Sequence, residues 1–239
     1  MEGDRVSITT LLFDFGGTLN SNGDHWGALF RRRWCEEGEG LSVEECEEAY
    51  IFSERELVRR GLELESFQET LRLQVALQHD RLGRSHGDGG HGIADEFYAQ
   101  TVERMAEIRR LFAEFHGAFR IGIVSNFYGN LRRVCDEFEL TPYLSLLVDS
   151  AIEGIRKPDT ALWRLAMERL AAGPDDTAII GDSWKNDIGP GNELGCTTIW
   201  YRGLEWRPAD PGWSADFEVS SLDELRAVIV GLKGEESGE

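Results

Sequence analysis

Four short stretches of the chain carry side chains that phosphoryl transfer can use. Asp14 ends the apolar run from Ser7 to Phe13 and is followed by Gly16, Gly17 and Thr18, which sets a carboxylate beside backbone that a ligand can approach closely and beside a hydroxyl. Ser125 and Asn126 end a second apolar run and offer a hydroxyl and an amide to phosphate oxygens. In Arg156-Lys157-Pro158-Asp159 an ammonium stands just before a proline expected to start a helix. Lys157 is one of only three lysines, with Lys185 and Lys233. Gly181-Asp182-Ser183-Trp184-Lys185-Asn186-Asp187 places two carboxylates five residues apart across a tight loop. Magnesium prefers carboxylate and carbonyl oxygens completed by water and phosphate, and Asp182 and Asp187 with Asp14 answer that preference. Each stretch alone has a plainer reading as a turn or a helix cap. Their joint appearance in this order is what points to chemistry.

The elements that must position these groups are short apolar strands. Ser7 to Phe13, Phe119 to Val124, Leu146 to Val148, Thr177 to Ile180 and Cys196 to Tyr201 read as five strands, with helical patterns at Val102 to Phe115 and Thr160 to Ala171 between them. Alternating strand and helix predicts a parallel α/β sheet, which binds ligands at the carboxyl ends of its strands. The stretch from Asn20 to Tyr98 interrupts the alternation with helices expected at Trp26 to Glu37, Ser42 to Gly61 and Leu64 to Arg81, the second opened by a Ser42–Glu45 capping box. Its aromatic residues, among them Trp26, Phe30, Trp34, Tyr50, Phe52 and Phe67, read as core at helical spacing. Gly83 to Gly92 holds five glycines with His86 and His91 and reads as a flexible connector rather than a metal site. The polar tail after Leu232 is expected to be disordered.

A formal charge of −19 over 239 residues argues against nucleic acid as a partner. No apolar run reaches the roughly 20 residues that span a bilayer, and Met-Glu-Gly-Asp-Arg lacks a signal-peptide layout. A cytoplasmic protein without a membrane partner is therefore expected. Cys35, Cys46, Cys135 and Cys196 are scattered without ligand spacing and read as free thiols.

Asp14-Phe15-Gly16-Gly17-Thr18-Leu19, Ser125-Asn126, Lys157-Pro158 and the Gly181 to Asp187 loop resemble the four ordered motifs of the haloacid dehalogenase superfamily. The resemblance covers essentially the whole chain. It implies a Rossmann-like three-layer parallel sheet core from residues 1–19 and 99–239, with residues 20–98 as an inserted all-helical cap of the C1 type. It further implies Asp14, Ser125 and Lys157 as catalytic residues, and Gly17, Thr18, Ser125, Asn126 and Lys157 as contacts to a small phosphorylated substrate. Magnesium would be held by Asp14, the Gly16 carbonyl, Asp182 and Asp187.

Gly16 departs from the pattern, because the family's phosphatases carry an acid/base aspartate there. That contribution is worth about 10²- to 10⁴-fold in rate. The relatives lacking it that use a cap lysine are a poor comparison, since residues 20–98 contain no lysine. Two phosphatase readings stay open: a leaving group that needs little protonation, or an acid supplied by Asp24 or His25. A 2-haloacid dehalogenase and a catalytically impaired binding protein are the alternatives. Arg31, Arg32 and Arg33 offer either a grip on an anionic substrate tail or plain surface charge, and a monomer or a homodimer fits equally.

Overall fold

The computed structural model describes residues 7–36, 40–84 and 89–233. Thr10–Phe13 (β1), Arg120–Ser125 (β2), Leu146–Asp149 (β3), Thr177–Gly181 (β4), Thr197–Tyr201 (β5) and Phe217–Val219 (β6) form one sheet in the order β3-β2-β1-β4-β5-β6. Every neighbouring pair is parallel. β1 and β4 are buried along their whole length, and alternate side chains enter separate cores. Leu11, Phe13, Ile121, Ile123 and Ile180 point to one side, whereas Leu12, Val124, Val148 and Ile179 point to the other. Burial on both faces is why these strands read as continuous apolar runs. The sixth strand was not expected: two of the three β6 residues are exposed and only Val219 is buried, so it carries no hydrophobic signature.

Between β1 and β2 the described residues hold helices and no strand. Trp26–Arg31 (α1) widens into a π-helical turn over Arg32–Glu36, and Val43–Arg60 (α2), Phe67–Arg81 (α3) and Gly89–Phe115 (α4) follow. The expected capping box opens α2, with Ser42 Oγ accepting from Glu45 N at 3.2 Å and Glu45 Oε2 accepting from Ser42 N at 2.8 Å. Ser66 and Glu69 repeat it on α3, which therefore starts three residues later than its apolar pattern suggests. Trp26, Phe30, Phe67 and Phe97 pack ring against ring as the core of this layer.

Two expectations are corrected here. The glycine-rich segment is not a connector throughout, because α4 begins at Gly89 and runs unbroken past residue 98. Burial of Ile93, Ala94 and Phe97 offsets the roughly 1 kcal/mol that each helical glycine costs. His86, the His91 side chain and residues 234–239 lie outside the described residues. Cys35 and Cys46 are joined as a disulfide between the π-helical turn and α2, whereas Cys135 and Cys196 are free and buried as expected.

After β2 come Leu131–Glu137 (α5), Ser150–Glu153 (α6), Ala161–Arg169 (α7), Gly189–Leu194 (α8) and Leu222–Leu232 (α9). Trp163 on α7 covers one face of the sheet and Leu225 and Ile229 on α9 pack against the other, which completes a Rossmann-like three-layer α/β core. Among the described residues no helix is long and apolar enough to cross a membrane.

Candidate active site

The strand order places β1 between β2 and β4, so Asp14, Ser125 and Asp182 emerge side by side from three adjacent carboxyl ends. Asp187 joins them from the π-helical turn Trp184–Ile188, and Lys157 from the loop between α6 and α7. Lys157 Nζ lies 2.6 Å from Asp14 Oδ1 and 2.6 Å from Asp187 Oδ1, with the Trp163 ring centroid 4.8 Å away. Ser125 Oγ donates to the same Asp14 oxygen at 3.0 Å.

The supporting residues explain the local sequence. Gly17 adopts φ +94°, and a Cβ there would lie 2.5 Å from the Asp182 carboxylate, so only glycine lets the two loops approach. Thr18 Oγ1 donates to Asp182 Oδ1 and accepts from Asp182 N, both at 2.9 Å. Gly17 and Thr18 thus back the site instead of lining its cavity. Asn126 grips the Lys157 backbone with both ends of its amide, accepting from Lys157 N at 2.9 Å and donating to Lys157 O at 3.0 Å. That clamp holds Lys157 outside regular structure. Pro158 follows in a cis peptide within a turn, and α7 starts only at Ala161, which corrects the expectation that Pro158 opens the helix.

Burial opposes the charge on Lys157, but Asp14 and Asp187 together raise its pKa above the ordinary lysine value. Burial pushes the Asp187 carboxyl up to about 7, with Lys157 pulling it down and Asp14 adding to the rise. Asp182 lies well above the usual carboxylate range, through burial and then its neighbours Asp14 and Asp187. The carboxylate oxygens of Asp14, Asp182 and Asp187 fall within 4.8 Å of one another, and Asp182 Oδ2 is buried without a partner. The three clustered carboxyl groups form an all-oxygen donor set that is negative once deprotonated, and this set fits magnesium.

A stability prediction follows from these shifts. Folded Asp187 keeps its proton up to about pH 7 whereas the unfolded chain releases it near 3.8, so its contribution is full below pH 4 and is lost as pH rises toward 7. His25, pushed down to about 4, acts in the opposite sense, so the comparison must be with a variant. With metal chelated, the melting temperature of wild type relative to Asp187→Asn is expected to fall between pH 5 and 7.5. Magnesium, which needs the deprotonated carboxylates, is expected to raise the wild-type melting temperature increasingly over that range. A difference that stays flat with pH would show that Asp187 is not held protonated.

Asp14, Gly16, Ser125, Asn126, Lys157 and Asp182 line a cavity of about 240 Å³. Its wall also includes Tyr50 on α2 and Arg156, together with three residues that no sequence pattern marked: Glu54 on α2, Gln74 on α3 and Tyr128. Glu54 Oε1 accepts from Gln74 Nε2 at 2.6 Å and from the Tyr128 hydroxyl. Burial raises the Glu54 pKa against the pull of Tyr128, Arg156 and Gln74. Glu54 is one of six glutamates between Val43 and Arg60, so composition could not single it out. Beside Asp14, a Cβ on Gly16 would meet the Trp26 indole at 3.5 Å.

The two substitute acids separate cleanly. Asp24 accepts from Leu204 N at 2.5 Å and lies outside this cavity. His25 lines it as the N-cap of α1, its Nδ1 accepting from Gly27 N at 3.0 Å. Burial drives its pKa down, Asp14 opposing and Arg31 assisting. Arg31 pairs with Glu47 and Arg33 with Glu96, and none of Arg31, Arg32 and Arg33 lines the cavity. This placement speaks against a grip on a substrate tail in the cavity, although Arg31 itself is a partly buried partner of the buried Glu47 and not plain surface charge.

Similarity to known proteins agrees with this arrangement. A profile of the haloacid dehalogenase-like hydrolases matches residues 8–195. A phosphoserine phosphatase of Thermus thermophilus is 36% identical over 87 residues, 36% of this chain and 34% of that protein. A glyceraldehyde 3-phosphate phosphatase of Methanocaldococcus jannaschii is 22% identical over 136 residues, 57% of this chain and 58% of that protein. The chain thus matches only about a third to three-fifths of the length of these relatives. The magnesium-bound hydrolase YfnB of Bacillus subtilis superposes with a TM-score of 0.58 at 21% identity, covering 94% of this chain and 99% of that one, which is a likeness of fold.

Proposed function

The chain belongs to the haloacid dehalogenase-like hydrolase family, and on that premise we propose that it is a magnesium-dependent phosphohydrolase of small phosphorylated metabolites working through an aspartyl-phosphate on Asp14. The observation that carries this reading is the division of labour on Asp14: Lys157 and Ser125 both occupy Oδ1, which leaves Oδ2 free to attack phosphorus. Lys157 and Ser125 then sit where they bind oxygens of the transferring group, and the ammonium offsets its charge. Asp14, Asp182, Asp187 and the Gly16 carbonyl would hold magnesium, which supplies further positive charge to the phosphoryl oxygens.

The helical residues 20–98 serve as a lid over the core formed by 1–19 and 99–239, and Tyr50 and Glu54 meet the part of the substrate that departs. Relatives named for phosphoserine and glyceraldehyde 3-phosphate support a small phosphomonoester. Displacement of halide at carbon has no use for three clustered carboxylates, so Asp182 and Asp187 favour phosphate.

The test is phosphate release from acyl, sugar and aryl phosphates by chelator-treated protein before and after magnesium is restored. Release that requires magnesium is the expected result. Metal-independent halide release from 2-haloacids would replace the reading with dehalogenation, and no release of either would replace it with a non-catalytic binder.

A further inference from the structure

Gly16 leaves the departing oxygen without a partner from its own loop. We propose that His25 supplies that partner as a neutral hydrogen-bond donor, its Nε2–H steadying the leaving oxygen; this deepens the phosphohydrolase reading and rests on it.

The tautomer follows from the helix cap. Nδ1 accepts from Gly27 N at 3.0 Å, and a ring nitrogen that accepts carries no proton, so the neutral ring bears its hydrogen on Nε2. The ring cannot turn freely. It stacks on Trp206 with centroids 5.5 Å apart and planes at 23°, and meets Tyr50 edge-on at 6.4 Å. Gly27 makes that sandwich possible, since a Cβ there would lie 2.7 Å from the Trp206 ring. Nε2 has no hydrogen-bond partner among the described residues, nor is it sealed in the protein. The ring lines the Asp14 cavity beside Gly16 and Trp26.

Direction supplies the remaining argument. In-line attack by Asp14 puts the departing oxygen at the opposite apex of phosphorus, within a cavity whose wall includes His25 and Tyr50. As the bond from Asp14 Oδ2 to phosphorus forms, the bond from phosphorus to the leaving oxygen breaks and its electron pair stays on that oxygen. The His25 N–H bond remains intact, and the oxygen takes its proton from solvent water. The titratable groups around the ring are Asp14, Arg31 and the uncharged Tyr50, and burial together with Arg31 holds His25 neutral at physiological pH against the pull of Asp14. It therefore gives a hydrogen bond where an imidazolium would give a proton. Loss of one such preorganised donor typically costs about 10²-fold in kcat.

His25→Asn and His25→Gln separate the catalytic role from the structural one. Asparagine keeps a short acceptor for Gly27 N and loses the far N–H, whereas glutamine keeps an N–H near the position of Nε2 and gives up the cap. With phenyl phosphate, His25→Asn is expected to lower kcat about 100-fold with KM little changed, and His25→Gln less than 10-fold. His25→Gln is expected to lose more melting temperature. The His25→Asn loss should be larger for phenyl than for p-nitrophenyl phosphate, whose phenolate leaves without help, and equal at pH 6 and 8.5.

The reverse ranking of the two variants, a loss confined to KM, equal losses on both esters, or a basic limb near pH 6.5 that vanishes in His25→Asn would each overturn the proposal. Failure of the underlying reading shows separately. Wild type that releases no Asp14-dependent phosphate even from p-nitrophenyl phosphate fails before any His25 variant is made, and takes the inference with it.

Discussion

Asp14→Asn is expected to reduce phosphate release from p-nitrophenyl phosphate by at least about 10⁴-fold, the scale on which loss of an essential nucleophile acts. The substitution is isosteric and keeps an oxygen for Ser125 and Lys157, but an amide cannot displace the leaving group. Its effect on the fold should run the other way. Asp14 raises the pKa of both Asp182 and Asp187, so its charge strains the metal-free cluster, and removing that charge relieves two buried carboxyls. Metal-free Asp14→Asn is therefore expected to melt no lower than wild type, and magnesium should raise its melting temperature less. Stability traded against activity in this way marks a group kept for chemistry. A variant that retains a tenth of the wild-type rate would remove Asp14 from the nucleophile's role. One that loses activity together with many degrees of melting temperature would mark the residue as structural.

Much of this site was legible because its parts sit at strand ends. Asp14, Ser125 and Asp182 each close a short apolar run, and a parallel sheet has no choice but to bring such ends to one edge. Lys157 was legible as a residue type but not in its contacts. Its two 2.6 Å ion pairs depend on the clamp from Asn126, formed across 31 residues, and no local pattern encodes that distance. The helical wall was the least legible. Glu54, Gln74 and Tyr128 converge from three elements far apart in sequence, and each is an ordinary residue on the surface of its own segment. Gly16 conveyed an absence, while the candidate for filling it, His25, reads in sequence as a helix cap beside a tryptophan. Only its place in the cavity wall and the unpaired second ring nitrogen give it a further use. The disulfide of Cys35 with Cys46 was missed for a related reason, since 11 residues and a change of helix direction separate two cysteines without a spacing signature.

Lys157→Met is expected to be the most destabilising single substitution in the site. The side chain is 2% exposed, and its ammonium pairs with both Asp14 and Asp187. Methionine preserves the stem and the contact with Trp163, so packing is nearly conserved and the change is electrostatic. Removing one partner of a buried ion pair typically costs about 3–5 kcal/mol, which for a chain of this size corresponds to a fall of roughly 10 °C in melting temperature. Activity should fall steeply as well, since the ammonium 2.6 Å from Asp14 is lost from the place where it would meet the transferring phosphoryl group.

Two controls separate this account from simple loss of packing. Magnesium should raise the melting temperature of Lys157→Met more than that of wild type, because a divalent cation restores the charge that the carboxylates lost. The double variant Asp14→Asn, Lys157→Met should then be more stable than Lys157→Met alone, since the second substitution deletes a carboxylate that the first left uncompensated, and coupling of this kind is expected between groups in contact. Additive losses, with no extra response to magnesium, would mean that Lys157 holds the fold through its aliphatic stem and that the three carboxylates do not act as one charged unit.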